Sequence, residues 1–120
     1  MNYNVKGTGV QLTDEIRTYV EKRLGHADKF LKHDSTAHVD VELQYQTSED
    51  GKKYRAEFTL SSEGNVYRAE AMGDTLHEAI DLGAADLTSE LSRMKAKSRD
   101  RVRRGAGKFK DFIRGFRDRF

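Results

Sequence analysis

The chain has no cysteine, which removes both a disulfide framework and any thiolate metal site. It has no run approaching the ~18 apolar residues of a membrane-spanning helix. Its first residues, Met1-Asn2-Tyr3-Asn4-Val5-Lys6, lack the apolar core of a secretory signal. These absences make a soluble, cytoplasmic protein the expectation. Catalytic motifs are missing as well. Gly7-Thr8-Gly9 stands between a strand and a helix, but Leu12 occupies the next glycine position of a dinucleotide fingerprint. Gly107-Lys108 resembles the end of a phosphate-binding loop, yet Phe109 replaces the needed Ser/Thr and Val102 the first glycine. His26, His33, His38 and His77 are scattered, and His77 with Asp81 is the one pair a helical turn apart. Two ligands do not make a zinc site, so ordinary surface histidines are expected. No serine has a nucleophile context. The reading is a non-enzyme without cofactor, metal or small-molecule substrate.

Charge is what the chain has in excess. Charged residues make up 35% of its 120 residues, against a usual ~25%, and a chain of this length forms one domain. The net charge of +2 hides a division. From residue 99 onward nine Arg/Lys stand against three Asp, a net +6, whereas residues 1–98 carry 13 basic and 17 acidic side chains, a net −4. An acidic body with a basic tail points to a polyanionic partner. A merely solubilising tail is the plainer alternative.

The apolar pattern alternates between two periods. Asn2 to Thr8 reads as a short strand with Tyr3 and Val5 on one face. Thr13 is expected to cap a helix whose first turn holds Asp14 and Glu15, where the dipole favours negative charge. Ile16, Tyr19, Val20, Leu24, Ala27, Phe30 and Leu31 then form one stripe at three-and-four spacing. Val39, Val41, Leu43 and Tyr45, then Tyr54, Ala56, Phe58 and Leu60, then Tyr67, Ala69 and Ala71 alternate with polar residues at period two. Asp50-Gly51 and Glu63-Gly64-Asn65 separate these strands as turns. Asp74 is expected to cap a second helix with the stripe Leu76, Ala79, Ile80, Ala84, Leu87, Leu91 and Met94. Gly83 lies inside that helix, as close approach to a sheet would require.

The order is β-α-β-β-β-α, an α+β fold. A right-handed crossover makes the first two strands parallel, the last three form an antiparallel meander, and both helices cover one face of a four-stranded mixed sheet. No repeat or low-complexity linker interrupts residues 1–98. Beyond Met94 the stripe stops while Lys95, Lys97, Arg99, Arg101, Arg103 and Arg104 continue. Residues 99–120 read as a separate basic, aromatic tail, hinged at Gly105-Ala106-Gly107 and mobile in the free protein. Its Phe109, Phe112, Ile113, Phe116 and Phe120 share an arc of about 100° on a helix. With Lys108, Lys110, Arg114, Arg117 and Arg119 outside that arc, the tail also suits an anionic membrane surface or a protein groove. That is the alternative function.

Basic residues on the helices carry the main reading. Arg17, Lys22, Lys29 and Lys32 lie off the first stripe, and Arg23 falls within its arc, its head reaching out along an aliphatic stem. Arg93, Lys95 and Lys97 approach the end of the second helix. Such residues meet phosphates of structured RNA, which is recognised mainly by shape and backbone. The plain alternative is a solvated face balanced by Glu21, Asp28 and Glu90.

Three stretches resemble the hibernation-promoting factor and ribosome-associated translation inhibitor family. They are Leu12 to Leu24, Glu70 to Asp81 (reading Glu-Ala-Met-Gly-Asp-Thr-Leu-His-Glu-Ala-Ile-Asp) and Leu87 to Lys97, within a likeness covering residues 2 to about 97. The resemblance implies the same β-α-β-β-β-α fold, similar to double-stranded-RNA-binding domains. It implies binding to ribosomal RNA of the small subunit, in the channel of messenger and transfer RNA, with translation stopped by steric occlusion. RNA contacts are implied at Arg17, Lys22, Arg23, Lys29, Arg93, Lys95 and Lys97; Arg99, Arg101, Arg103 and Arg104 join them on charge alone. His77 stands where the family commonly has tyrosine and is expected to be an inconsequential surface change. The family's separate C-terminal dimerisation domain has no counterpart in these 120 residues, so ribosome pairing is not implied.

Overall fold

A computed structural model describes residues 1–32, 34–46, 51 and 53–118, with side chains through residue 97. The elements are β1 (Asn2–Thr8), α1 (Asp14–Asp28), β2 (His38–Tyr45), β3 (Tyr54–Ser62), β4 (Asn65–Gly73) and α2 (Leu76–Asp118). The sheet order is β1-β2-β3-β4, with β1 parallel to β2 and the other neighbours antiparallel. This is the expected four-stranded mixed sheet with two helices.

The period-two pattern sets the register, because a one-residue slip would move every side chain to the wrong face. Val5, Val41, Phe58 and Ala69 stand opposite one another across all four strands, and all four are buried. Ile16, Val20, Leu24 and Ala27 of α1 and Ala79, Ile80, Ala84, Leu87 and Leu91 of α2 close the core over them. A Cβ on Gly83 would lie 2.6 Å from Phe58 Cε2, so the helix meets the sheet at a distance only glycine permits. Glu63 (φ 52°) and Gly64 (φ 78°) make the β3–β4 turn, the paired positive φ of a tight hairpin.

Three expectations are corrected. The first stripe outruns its helix: α1 ends at Asp28, Lys29 is its C-cap, and Leu31 is buried from the turn beyond. Thr13 does cap α1, accepting from the Ile16 N–H at 3.2 Å. At α2 the capping side chain is Thr75, whose Oγ1 accepts from the Glu78 N–H at 3.1 Å, and not Asp74. Lastly, Gly105-Ala106-Gly107 is not a hinge: α2 is one helix of 43 residues that passes through it to Asp118. A glycine inside a helix costs about 1 kcal/mol relative to alanine, and here both are absorbed without a break. Asp50, His33, Arg119 and Phe120 lie outside the described residues, as do the side chains of Arg99, Arg101, Arg103, Arg104 and the tail phenylalanines.

Candidate nucleic-acid interface

The two helices are joined by a polar clamp. Arg23 Nε of α1 donates to Asp81 Oδ1 of α2 at 2.7 Å, and the Tyr19 hydroxyl donates to the same oxygen at 2.5 Å. The Arg23 guanidinium also donates to the Tyr19 oxygen at 3.2 Å and lies over its ring, 5.3 Å from the centroid. Both the Tyr19 bond and the Asp81 charge favour the protonated guanidinium. His77 packs edge-on against Tyr19 with ring centroids 4.6 Å apart. It is an exposed ring resting against the clamp, and the helical-turn pair with Asp81 is not made.

Contacts along the helices rise in step. Tyr19 meets His77 and Asp81, Arg23 meets Asp81, and Arg23 and His26 face Ala84, Ala85 and Thr88 across one groove. The helices thus run side by side in the same direction. The topology requires it, since each helix returns over a strand parallel to the other's. Both begin with acids, Asp14 and Glu15 in α1 and Glu78 in α2. Both become basic later, so Lys29 and Lys32 after α1 and Arg93, Lys95 and Lys97 of α2 lie toward the same end of the helical layer.

The neighbouring acids do not balance the first helix's cations. Glu21 accepts from the Tyr3 hydroxyl at 3.3 Å, and Asp28 faces the N-terminal ammonium at 3.9 Å. Among the described residues Arg17, Lys22, Lys29 and Lys97 are exposed and pair with no carboxylate. Arg93 is held by Glu90 at 3.0 Å, one turn back, with its side chain still 71% exposed. Arg23 is the exception in the predicted set. Its charge is spent on Asp81, and only its outer surface is open, at 41%.

The other face of the sheet has the opposite character. Lys6, Glu42, Glu57 and Glu70 stand in one row across the four strands. Arg55 binds both Glu57 and Glu70 and donates to Gln44 at 3.1 Å, which draws the Glu70 carboxyl below its usual range. Like charges directly opposite one another are destabilising, and Arg55 offsets that repulsion between Glu57 and Glu70. Exposed cations without a carboxylate partner thus lie on the helical layer, while the open sheet face carries its glutamates among Lys6, Arg55 and Arg68.

Sequence reasoning missed Tyr19, Asp81 and the groove residues His26, Ala84, Ala85 and Thr88. Only Arg23, a cation inside an apolar arc, signalled that something charged had to meet it. Among the described residues no group of three or more His, Cys, Asp or Glu is placed to hold a metal, and no helix is long and apolar enough to cross a membrane.

The profile described as Sigma 54 modulation protein / S30EA ribosomal protein matches residues 3–99, which takes in nearly all of the sheet, α1, the first half of α2 and every predicted helix cation through Arg99. The chain belongs to the Sigma 54 modulation protein / S30EA ribosomal protein family. Among curated S30EA relatives, the Bacillus subtilis ribosome hibernation promotion factor is 27% identical over 97 residues, covering 81% of this chain and 50% of its own. The Lactococcus lactis protein of the same name is 30% identical over 111 residues, 88% of this chain and 57% of its own. The chain thus spans about half the length of the curated relatives it matches. Among solved structures, the N-terminal domain of Thermus thermophilus Protein Y superposes with a TM-score of 0.68 at 32% identity, over 78% of this chain and 99% of that one. A ribosomal subunit interface protein from Coxiella burnetii, at 22% identity and a TM-score of 0.64, shares the fold over 80% of this chain and 99% of its own.

Proposed function

We propose that this S30EA chain is a cytoplasmic ribosome hibernation factor that binds ribosomal RNA of the small subunit through its helical layer. Bound in the channel of messenger and transfer RNA, it stops translation by occupying space and performs no chemistry. The observation that carries the reading is the set of uncompensated cations, Arg17, Lys22, Lys29 and Lys97, on two parallel helices of a fold shared with named hibernation factors. Lysine and arginine so placed meet phosphates, which position a protein on structured RNA. Arg93 and Lys95 extend the same surface, Arg23 stiffens its centre, and Arg99, Arg101, Arg103 and Arg104 follow on the continuing helix. The glutamate row on the opposite sheet face favours one orientation against RNA.

Sedimentation with purified ribosomal subunits, beside translation in a purified system, tests the proposal. The protein is expected to travel with the small subunit and to lower protein synthesis in proportion to occupancy. Full synthesis at saturating protein, with none in the ribosomal fractions, would overturn it.

A further inference from the structure

A half-open groove of about 260 Å³ lies between α1 and α2, lined by Arg23, His26, Asp81, Ala84, Ala85 and Thr88. That is slightly below the roughly 300–1,000 Å³ of sites for drug-sized ligands, which suits a single planar ring system. It opens on the helical layer that carries the uncompensated cations.

Its chemistry is specific. Ala84 and Ala85 give it a short apolar wall. The Arg23 guanidinium has one face over the Tyr19 ring and is fixed by Asp81, so its remaining surface is a preorganised plane. Unpaired bases in RNA stack on such planes and are read along their hydrogen-bonding edges. Asp81 Oδ1 receives the clamp's two bonds, and among the described residues Oδ2 receives none. Thr88 uses its hydroxyl proton on the Ala84 carbonyl at 3.0 Å, which leaves its oxygen as an acceptor. The free polar atoms these two residues offer are therefore acceptors, and toward them an occupant must present N–H donors.

We propose that this groove seats one unpaired nucleobase bearing an exocyclic amino group, with guanine favoured. Guanine offers adjacent N1–H and N2–H groups to a carboxylate and a hydroxyl. Uracil offers a single N–H between two carbonyls, which face Asp81 unfavourably. The inference deepens the ribosome-binding reading by adding a base contact to a surface otherwise read as phosphate-binding.

Two measurements test it. Amide chemical shifts of the free full-length protein are followed as GMP, CMP, UMP or ribose 5-phosphate is added. GMP is expected to move His26, Ala84, Ala85 and Thr88, CMP more weakly, and UMP and ribose 5-phosphate to leave them in place. Ala85→Leu, an exposed helix position where leucine is a good helix former, fills the groove without altering charge. It is expected to abolish those shifts and to weaken ribosome binding about tenfold, near the lower end of what one stacked base contributes, with the salt dependence unchanged. Groove amides that ignore GMP, or that respond equally to ribose 5-phosphate, would overturn the base seat. So would a folded Ala85→Leu protein with undiminished ribosome affinity. GMP-specific shifts in a protein that never binds ribosomes would overturn the ribosome reading and leave the base seat standing.

Discussion

Arg23 and Asp81 meet Nε to Oδ1 at 2.7 Å across the two helices, and Tyr19 closes the triangle on the same oxygen at 2.5 Å. An arginine that sequence logic assigns to RNA is thereby committed first to holding the helical layer in shape. Asp81→Ala is expected to lower the melting temperature by a few degrees, and Arg23→Lys to restore none of the clamp, because a lysine has no guanidinium fork to share between Tyr19 and Asp81. A double-mutant cycle on Arg23 and Asp81, read by thermal unfolding, checks the coupling. Additive effects would show that the two act separately.

Gly83→Ala places a methyl group 2.6 Å from the Phe58 ring, which is fully buried and has no room to retreat. Overpacking of this kind costs about 1–3 kcal/mol, against a gain of about 1 kcal/mol from better helix propensity. A net loss of stability is expected in urea unfolding. Phe58→Leu in the same chain should recover part of it, since the smaller side chain opens the contact.

Ribosome affinity is expected to fall steeply with salt, because each neutralised phosphate releases condensed counterions. Replacing Lys22, Lys29 and Lys97 together by alanine should weaken binding and flatten the slope of log affinity against log salt by about one per lost phosphate contact. These side chains are exposed, so the melting temperature should hold. Binding at a series of salt concentrations provides the comparison, and an unchanged slope would place the RNA face elsewhere.

Acid should loosen the segment before β2. The Asp34 carboxylate accepts from the Thr36 hydroxyl at 2.6 Å, the Ser62 hydroxyl at 2.7 Å and the Thr36 N–H at 2.9 Å. These bonds, the Thr36 hydroxyl foremost, hold its pKa down to about 2. Its folded pKa lies below the unfolded value of about 3.9. The stabilisation is therefore complete above pH ~4 and is lost as pH falls through 2. Melting temperatures of the wild type and Asp34→Asn, compared from pH 5 to pH 2, should converge toward the acid end.

Truncation after Lys97 separates the helix extension from the body. The last buried α2 side chain among the described residues is Leu91, so melting should hardly change. Ribosome affinity should fall, because Arg99, Arg101, Arg103 and Arg104 are removed. A clear drop in melting temperature would show instead that residues 98–120 pack on the body.

The sequence by itself determined the elements and their order. The alternation through Val39–Tyr45 and Tyr54–Leu60 and the stripe from Leu76 to Leu91 follow directly from the geometry of strand and helix. It also supplied the Thr13 cap and the reason for a glycine at 83. Helix ends were less legible. Leu31 keeps the helical spacing yet is buried from a turn, because burial rewards an apolar side chain in either conformation. Likewise Gly105 and Gly107 permit a hinge without requiring one. What only the tertiary structure decided is which charges meet. Tyr19, Arg23 and Asp81 are brought together because α1 follows β1 and α2 follows β4, strands that point the same way, so that the two helices run parallel; Glu42, Glu57 and Glu70 are brought together by strand register. Polar contact depends on distances of a few ångströms between residues up to 62 positions apart in the chain, and no local pattern carries that distance. The same packing turns Glu21 toward Tyr3 and Asp28 toward the N-terminus, which leaves Arg17 and Lys22 of α1 without a carboxylate partner among the described residues.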